Sequence, residues 1–253
     1  MNPKHLMDTA LLAGTMLIES NAETYRVEET MHHILSISHF ETVEVYAVGT
    51  AVMATIDDES INSITEIKAT KRSDINLSKI TKVNQISRAL SQGQIDLETA
   101  YQQLLVADTK EVPQYEKDIA VIIMIGGFGT LFSGRLRESI IAMIAGLWLP
   151  LITRINDTLK VGTFFLNVVS VVIMTLSTGL IQRYLYADFN MGLSIIGTIM
   201  PLVPGTAITN AIRDTLRGDY ISGSARAIEA FIVALSIALG VALGLLLLGG
   251  GAG

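Results

Sequence analysis

Cysteine is absent from this chain of 253 residues, which excludes disulfides, thiolate metal sites and a cysteine nucleophile. Charge is scarce too, at 17% of residues, and aromatics make up only 6%. With 18 Lys/Arg against 24 Asp/Glu, the net charge of −6 offers no surface for displacing the counterions of a nucleic acid. The one tight basic cluster, Lys68, Lys71 and Arg72, is flanked by Glu66 and Asp74 and reads as a solvated face. No Walker loop, GxGxxG or GxSxG occurs, so nucleotide-driven and hydrolase chemistry have no motif. The histidines are His5, His32, His33 and His39; Glu28 with His32 and Glu29 with His33 are i, i+4 pairs on a solvated helix. A metal needs three or four convergent ligands, and no further ligand spacing supplies them. Neither a metal, a cofactor nor a catalytic residue is expected.

What the chain has in plenty is apolar sequence: half of it is hydrophobic, with mean hydropathy +0.48. The charges divide unevenly at Asp118. Residues 1–118 hold 10 Lys/Arg and 18 Asp/Glu, and residues 119–253 hold 8 and 6. Fourteen charges in 135 residues cannot solvate a globular surface but can punctuate membrane helices. The expected fold is therefore a soluble α+β domain over 1–118, followed by an α-helical membrane domain over 119–253. Its uncharged stretches, 119–134, 139–153, 161–182, 189–212 and 230–253, predict about five spans, the first two short for a bilayer. With the N-terminal domain in the cytoplasm, inside loops carry Lys117, Arg154, Lys160, Arg213, Arg217 and Arg226, and outside loops carry Arg135, Arg137 and Arg183. That bias favours an inside N-terminus in a cell inner membrane. Ala10 to Ile18, bounded by Asp8 and Glu19, is not read as a signal peptide.

Within the soluble part, Leu6, Ala10, Ala13 and Leu17 recur at helical spacing, predicting a long amphipathic helix from His5 to Ile37 with a break at Ser20-Asn21. Alternating β-branched residues then predict strands at Val43–Val48, Ala51–Ile56 and Ile64–Thr70. Helical spacing returns at Leu77–Leu90 and Leu97–Leu105. This gives a small antiparallel sheet packed with helices.

The most informative membrane segment is Pro201-Leu-Val-Pro204-Gly205 in the fourth uncharged stretch. Two prolines and a glycine break a helix, and a break at membrane depth is tolerable only against protein or a water-filled cavity, where half-helix ends bind ions or carboxylates. Thr206, Thr209, Asn210, Arg213 and Asp214 follow directly. Asn210, Arg213, Asp214 and Arg217 share one helical face. Arg213 has the planar fork for a substrate carboxylate. Asp214, and Glu229 at the edge of the last span, are candidates to carry a coupling proton, with a charged interfacial cap as the alternative. Asn167, Ser170 and Ser177 form a polar stripe on the third span that is either helix–helix glue or a substrate contact. Gly126, Gly127 and Gly129, and the Gly240/Gly244 pair, mark close helix packing and are compatible with homo-oligomers.

Three stretches carry a family likeness: AGTMLIESNAETYRVEETMHHIL at 13–35, TKVNQISRALSQGQIDLETAYQQL at 81–104, and PGTAITNAIRDTLRGDYISGSARAIEA at 204–230. On these the chain resembles the threonine/serine exporter family, in the form of a subunit bearing a soluble N-terminal domain. Asn21 stands where the family has glycine. The resemblance implies a secondary exporter of threonine, serine or a dicarboxylate such as succinate, driven by the proton motive force. It also implies a smaller membrane subunit as partner and a cytoplasmic N-terminal domain. Carried over by position are Pro204, Gly205, Asn210, Arg213, Asp214, Gly218, Asp219 and Gly223. Together with the residue reading, the candidate substrate-binding set is Pro204, Gly205, Thr209, Asn210, Arg213 and Asn167, with Asp214 and Glu229 for the proton. A membrane-anchored hydrolase-like enzyme and a non-transporting accessory subunit are the alternatives.

Overall fold

The computed structural model describes residues 2–70, 75–109 and 112–249. Lys71 and Arg72 of the basic cluster, the flanking Asp74, and the Gly-rich tail from Gly250 lie outside the described residues. The chain forms two compact units, one of Met1–Glu111 with Asn210–Arg226, the other of Val112–Thr209 with Ala227–Gly253. The seventeen residues 210–226, which the charge count assigns to the membrane half, thus fold with the N-terminal unit.

In the first unit, helix α1 (Pro3–Glu19) starts where the Asn2 side chain accepts the amides of Lys4 and His5, with Pro3 at its first position. The predicted stripe of Leu6, Ala10, Ala13 and Leu17 is buried, and so are Met7, Leu11, Thr15, Met16 and Ile18. α1 is therefore buried well beyond the one apolar face that the spacing predicts. The helical stretch expected from His5 to Ile37 is divided at the expected break, Ser20-Asn21, into two helices. Asn21, at φ 62°, turns the chain in the left-handed region, and α2 (Thr24–Leu35) runs back with Val27, Met31, Ile34 and Leu35 buried. Asparagine is among the few residues other than glycine that adopt this conformation readily, so the departure from the family's glycine leaves the corner intact.

Strands β1 (Thr42–Val48), β2 (Ala51–Asp58) and β3 (Ile61–Ala69) form an antiparallel sheet in that order. Val52, Ala54 and Ile56 point into the core while Met53 and Thr55 alternate outward. An irregularity between Ile56 and Asp58 lets β3 begin three residues before the expected Ile64. Helices α3 (Leu77–Ser91) and α4 (Leu97–Thr109) complete one core with Val83, Leu90, Ala100 and Leu104 buried against α1 and α2.

The second unit holds α5 (Gln114–Ser133), α6 (Leu136–Gly146), α7 (Trp148–Leu159), α8 (Thr163–Tyr184) and α9 (Met191–Ile199). It also holds the start of α10 (Gly205–Leu216) and most of α11 (Tyr220–Leu247). By length and composition three helices among the described residues can cross a bilayer: Leu136–Leu159, α8 and α11. A fourth span results if α9 and α10, bent by 56° at their break, count as one. The prediction of five spans is thus met by three or four. α5 falls short because Glu116, Lys117 and Asp118 occupy its first turns, and Leu136–Leu159 starts among the charges Arg137 and Glu138.

Small residues set the helix spacing here. A Cβ added to Gly197 of α9 would lie 2.8 Å from the Gly129 backbone of α5, and one added to Gly129 would lie 2.8 Å from the Ser139 Cα of α6. Buried hydroxyls tie the same faces, with Ser139 Oγ donating to the Gly126 carbonyl at 2.6 Å and Thr198 Oγ1 to the Ala142 carbonyl at 3.3 Å. Gly240 and Gly244 of α11 meet Val171 and Thr175 of α8, so this small-residue face is used inside the chain. Gly197→Ala forces α5 and α9 apart. It is expected to cost about 1–3 kcal/mol by overpacking, measured as a lowered unfolding midpoint in detergent, with Gly197→Leu preventing folding.

Candidate functional site

The densest polar arrangement in the first unit is built on the α1–α2 corner by residues 210–226. When α1 ends, the Ala22 carbonyl and the Asn21 side-chain oxygen lie outside any helix and need donors. Arg226 supplies them: Nη1 donates to Asn21 Oδ1 at 2.7 Å and Nη2 to the Ala22 carbonyl at 2.8 Å. Its Nε pairs with Asp214 Oδ2 at 3.0 Å. Both side chains are almost wholly buried, Arg226 at 2% and Asp214 at 1% exposure. Asn210 Nδ2 donates to the Asn21 carbonyl at 3.3 Å. Arg213 pairs with Glu23, which also takes Arg26 Nε at 3.1 Å, and the Arg217 guanidinium sits 3.5 Å over the Tyr25 ring.

The segment that brings these groups together is a helical hairpin. Gly218, at φ 89°, ends α10 in the left-handed region, and Asp219 Oδ1 then caps α11 by accepting the Ser222 amide at 3.0 Å. A side chain at Gly223 would strike Thr215 Oγ1 at 2.3 Å, so glycine there lets the two arms close. Gly218, Asp219 and Gly223, carried over from the resemblance, therefore shape the hairpin that presents Arg213 and Arg226.

Glu28, one turn further along α2, reaches the sheet and accepts the Ala47 amide of β1 at 3.0 Å. Burial pushes its carboxyl above the usual carboxylate range; the Ala47 bond opposes this, and the nearby charges of Asp219 and Asp214 add to it.

The other expected site residues lie in the second unit. Pro201 stands in a 3₁₀ turn, Met200–Leu202, after α9. Val203 is extended, the Gly205 amide turns back to the Val203 carbonyl at 2.8 Å, and α10 restarts from Pro204. This confirms the predicted break. Beside it lies an apolar cleft of about 500 Å³ lined by Ile199, Val203, Pro204, Ala234, Ile237 and Val241, with no group that could hold a carboxylate. Thr209 is exposed and bonds the Gly205 carbonyl at 2.8 Å. Asn167 is buried on α8, as is Ser170, whose hydroxyl has no partner among the described residues. Glu229 is exposed on α11.

Two residues were missed in the sequence as site members. Arg226 reads there as a loop charge of the inside set. Glu138, flanked by Arg135 and Arg137, reads as another loop charge, yet it is 1% exposed. Its Oε1 accepts the Asn190 amide at 3.4 Å and its Oε2 has no hydrogen-bond partner among the described residues. Only the apolar run after Ser139 hints at its burial. The histidines stay apart: His5 pairs with Glu98 at 3.1 Å, His32 bonds Ser36 at 3.0 Å, and no group of three His, Asp or Glu fit for a metal occurs among the described residues.

Removing one partner of a buried ion pair leaves the other charge unsolvated. Arg226→Met is expected to destabilise the first unit by about 3–5 kcal/mol, with much of that recovered in Arg226→Met/Asp214→Leu; denaturant unfolding of both variants checks it. For Glu28, a carboxyl raised in the folded state contributes stability that is present below its unfolded value and lost as pH rises through the folded one. Glu28→Gln keeps an acceptor for Ala47 and removes the charge. Its unfolding midpoint should therefore exceed that of the parent at pH 8 and converge with it at pH 4.

No curated protein and no solved structure matches the chain. A family model does, over residues 8–248, which takes in the α1–α2 corner, the broken helix and the hairpin. This membrane protein therefore belongs to the threonine/serine exporter family (ThrE).

Proposed function

We propose that the protein is the larger subunit of a proton-motive-force-coupled exporter of a small amino acid, threonine or serine, or of a dicarboxylate such as succinate, completed by a smaller membrane subunit. The observation that carries this reading is the break between α9 and α10, where Pro201 and Pro204, which have no amide to donate, interrupt the helical ladder at the end of an apolar helix. The N-terminal unit lies in the cytoplasm and the chain in the inner membrane, following the bias of basic residues between loops. α5 makes a fifth crossing in this arrangement if the bilayer thins around its short uncharged part.

Substrate passes the broken helix at Pro204, Gly205 and Thr209. Asn210 and Arg213 receive its polar groups, and Asn167 of α8 is a separate candidate substrate contact. Arg213 is suited to this because its guanidinium already holds a carboxylate, that of Glu23, and a substrate carboxylate competes for the same fork. Asp214 or Glu229 carries the proton. The family match supports transport over a membrane-anchored enzyme.

Efflux from proteoliposomes preloaded with labelled threonine, serine or succinate, with and without the smaller subunit and under an imposed pH gradient, tests the reading. Efflux of one cargo that collapses with the gradient is the expected result, and none from the complete complex refutes it. Arg213→Lys should lower efflux at least tenfold, since a point charge lacks the bidentate fork. The exchanged pair Glu23→Arg/Arg213→Glu separates roles: restored efflux means that Arg213 serves only as Glu23's partner.

A further inference from the structure

A polar cleft of about 180 Å³ opens between α2 and α3 of the first unit. Its origin is helical spacing: Tyr25, Glu29 and His33 follow one another at four-residue intervals beside the buried stripe of Val27, Met31 and Ile34. From α3 come Asn84 and Arg88, next to the buried Val83 and Ser87. The two helices pack through their apolar stripes and leave these polar rims facing one space.

Charged rims of packed helices ordinarily pair across the seam. Here no ion pair joins Glu29 to Arg88 among the described residues, although both line the same cleft; Glu29 lies instead in the field of Arg26. Arg26, the second guanidinium in the lining, engages Glu23 through Nε and also hydrogen-bonds the Tyr25 side chain, so it reaches a ligand only by exchanging partners. Asn84 Oδ1 takes the Thr30 hydroxyl at 3.4 Å, which leaves its amide donors over. The cleft thus offers the Arg88 guanidinium and the Asn84 amide for a carboxylate, with Arg26 joining them if it leaves its present partners, and the Glu29 carboxylate for an ammonium. Its volume is well below the roughly 300–1,000 Å³ of pockets for drug-sized ligands, so only a small metabolite fits.

We infer that this cleft is a binding site for a small zwitterionic α-amino acid, its carboxylate on Arg26 and Arg88 and its ammonium on Glu29. The site is also a sensor. Tyr25 lines it on one side and supports Arg217 on its ring, and Arg26 shares Glu23 with Arg213. A ligand carboxylate that draws Arg26 away leaves Glu23 to Arg213 alone, so occupancy tightens the hold of α2 on residues 210–226.

The test uses the full chain purified in detergent, titrated calorimetrically with L-threonine, L-serine, succinate and L-threoninol, which lacks the carboxylate. Threonine and serine should bind and threoninol should not. Arg88→Ala should weaken binding at least tenfold and Arg88→Lys less, with the unfolding midpoint of each showing that the fold is kept. Hydrogen exchange of 210–226 should slow when threonine is added to the parent and stay unchanged in Arg88→Ala. Absence of binding by every probe overturns the proposal, as does binding or slowed exchange undiminished in Arg88→Ala, which would place the ligand elsewhere. Because neither readout needs flux, binding that depends on Arg88 stands even where the proteoliposomes show no efflux.

Discussion

A guanidinium and a carboxylate buried together, Arg226 and Asp214, impose the constraint on which the first unit's organisation rests. Desolvating two charges is costly, and their mutual attraction offsets that cost only when the remaining hydrogen-bonding capacity is satisfied. Arg226 meets this condition by donating to Asn21 Oδ1 and the Ala22 carbonyl, groups that exist only because α1 ends and the chain turns through a left-handed residue there. The pair, the corner and the hairpin are therefore one unit of structure. Asn210, Arg213 and Arg217 add more exposed contacts around it, each worth less because water competes for them.

This arrangement gives the residues carried over from the resemblance two different kinds of work. Gly218, Asp219 and Gly223 turn, cap and close the hairpin, which is why residue types with those conformational properties stand there. Arg213, by contrast, is half-exposed and holds a carboxylate that a small molecule can imitate. Glu23 is the point where the two meet, since it receives Arg213 and Arg26 at once. In sequence the hairpin is made of the end of α10, the second half of the broken helix, and the start of the long apolar α11, so whatever alters its hold on α2 acts on the turn joining these two helices.

Much of the fold was legible from spacing. The three strands and α3 follow from alternation and helical periodicity because each has one buried face, and a single buried face is what periodicity records. α1 reads as a helix with one apolar face, and the burial of its other faces is not legible, since periodicity marks only the stripe of Leu6, Ala10, Ala13 and Leu17. The proline break was legible because a missing amide and a ring clash are local properties. Span number was less so: α5 and the start of α6 mix charge with apolar runs, and composition does not say whether a charge is solvated or buried, as Glu138 shows.

The sequence by itself determined the division into a charged α+β part and an apolar helical part, the helix break at Pro201–Gly205 and the family. Each depends on composition, local backbone chemistry or matched residues in order. Only the tertiary structure decided that 210–226 belongs with the N-terminal unit, that Arg226 rather than Arg213 is the buried cation, and that Arg26, Glu29 and Arg88 line a common cleft. These are contacts between residues tens to hundreds of positions apart in the chain. Periodicity says which face of a helix is buried, but the partner that buries it is chosen by packing.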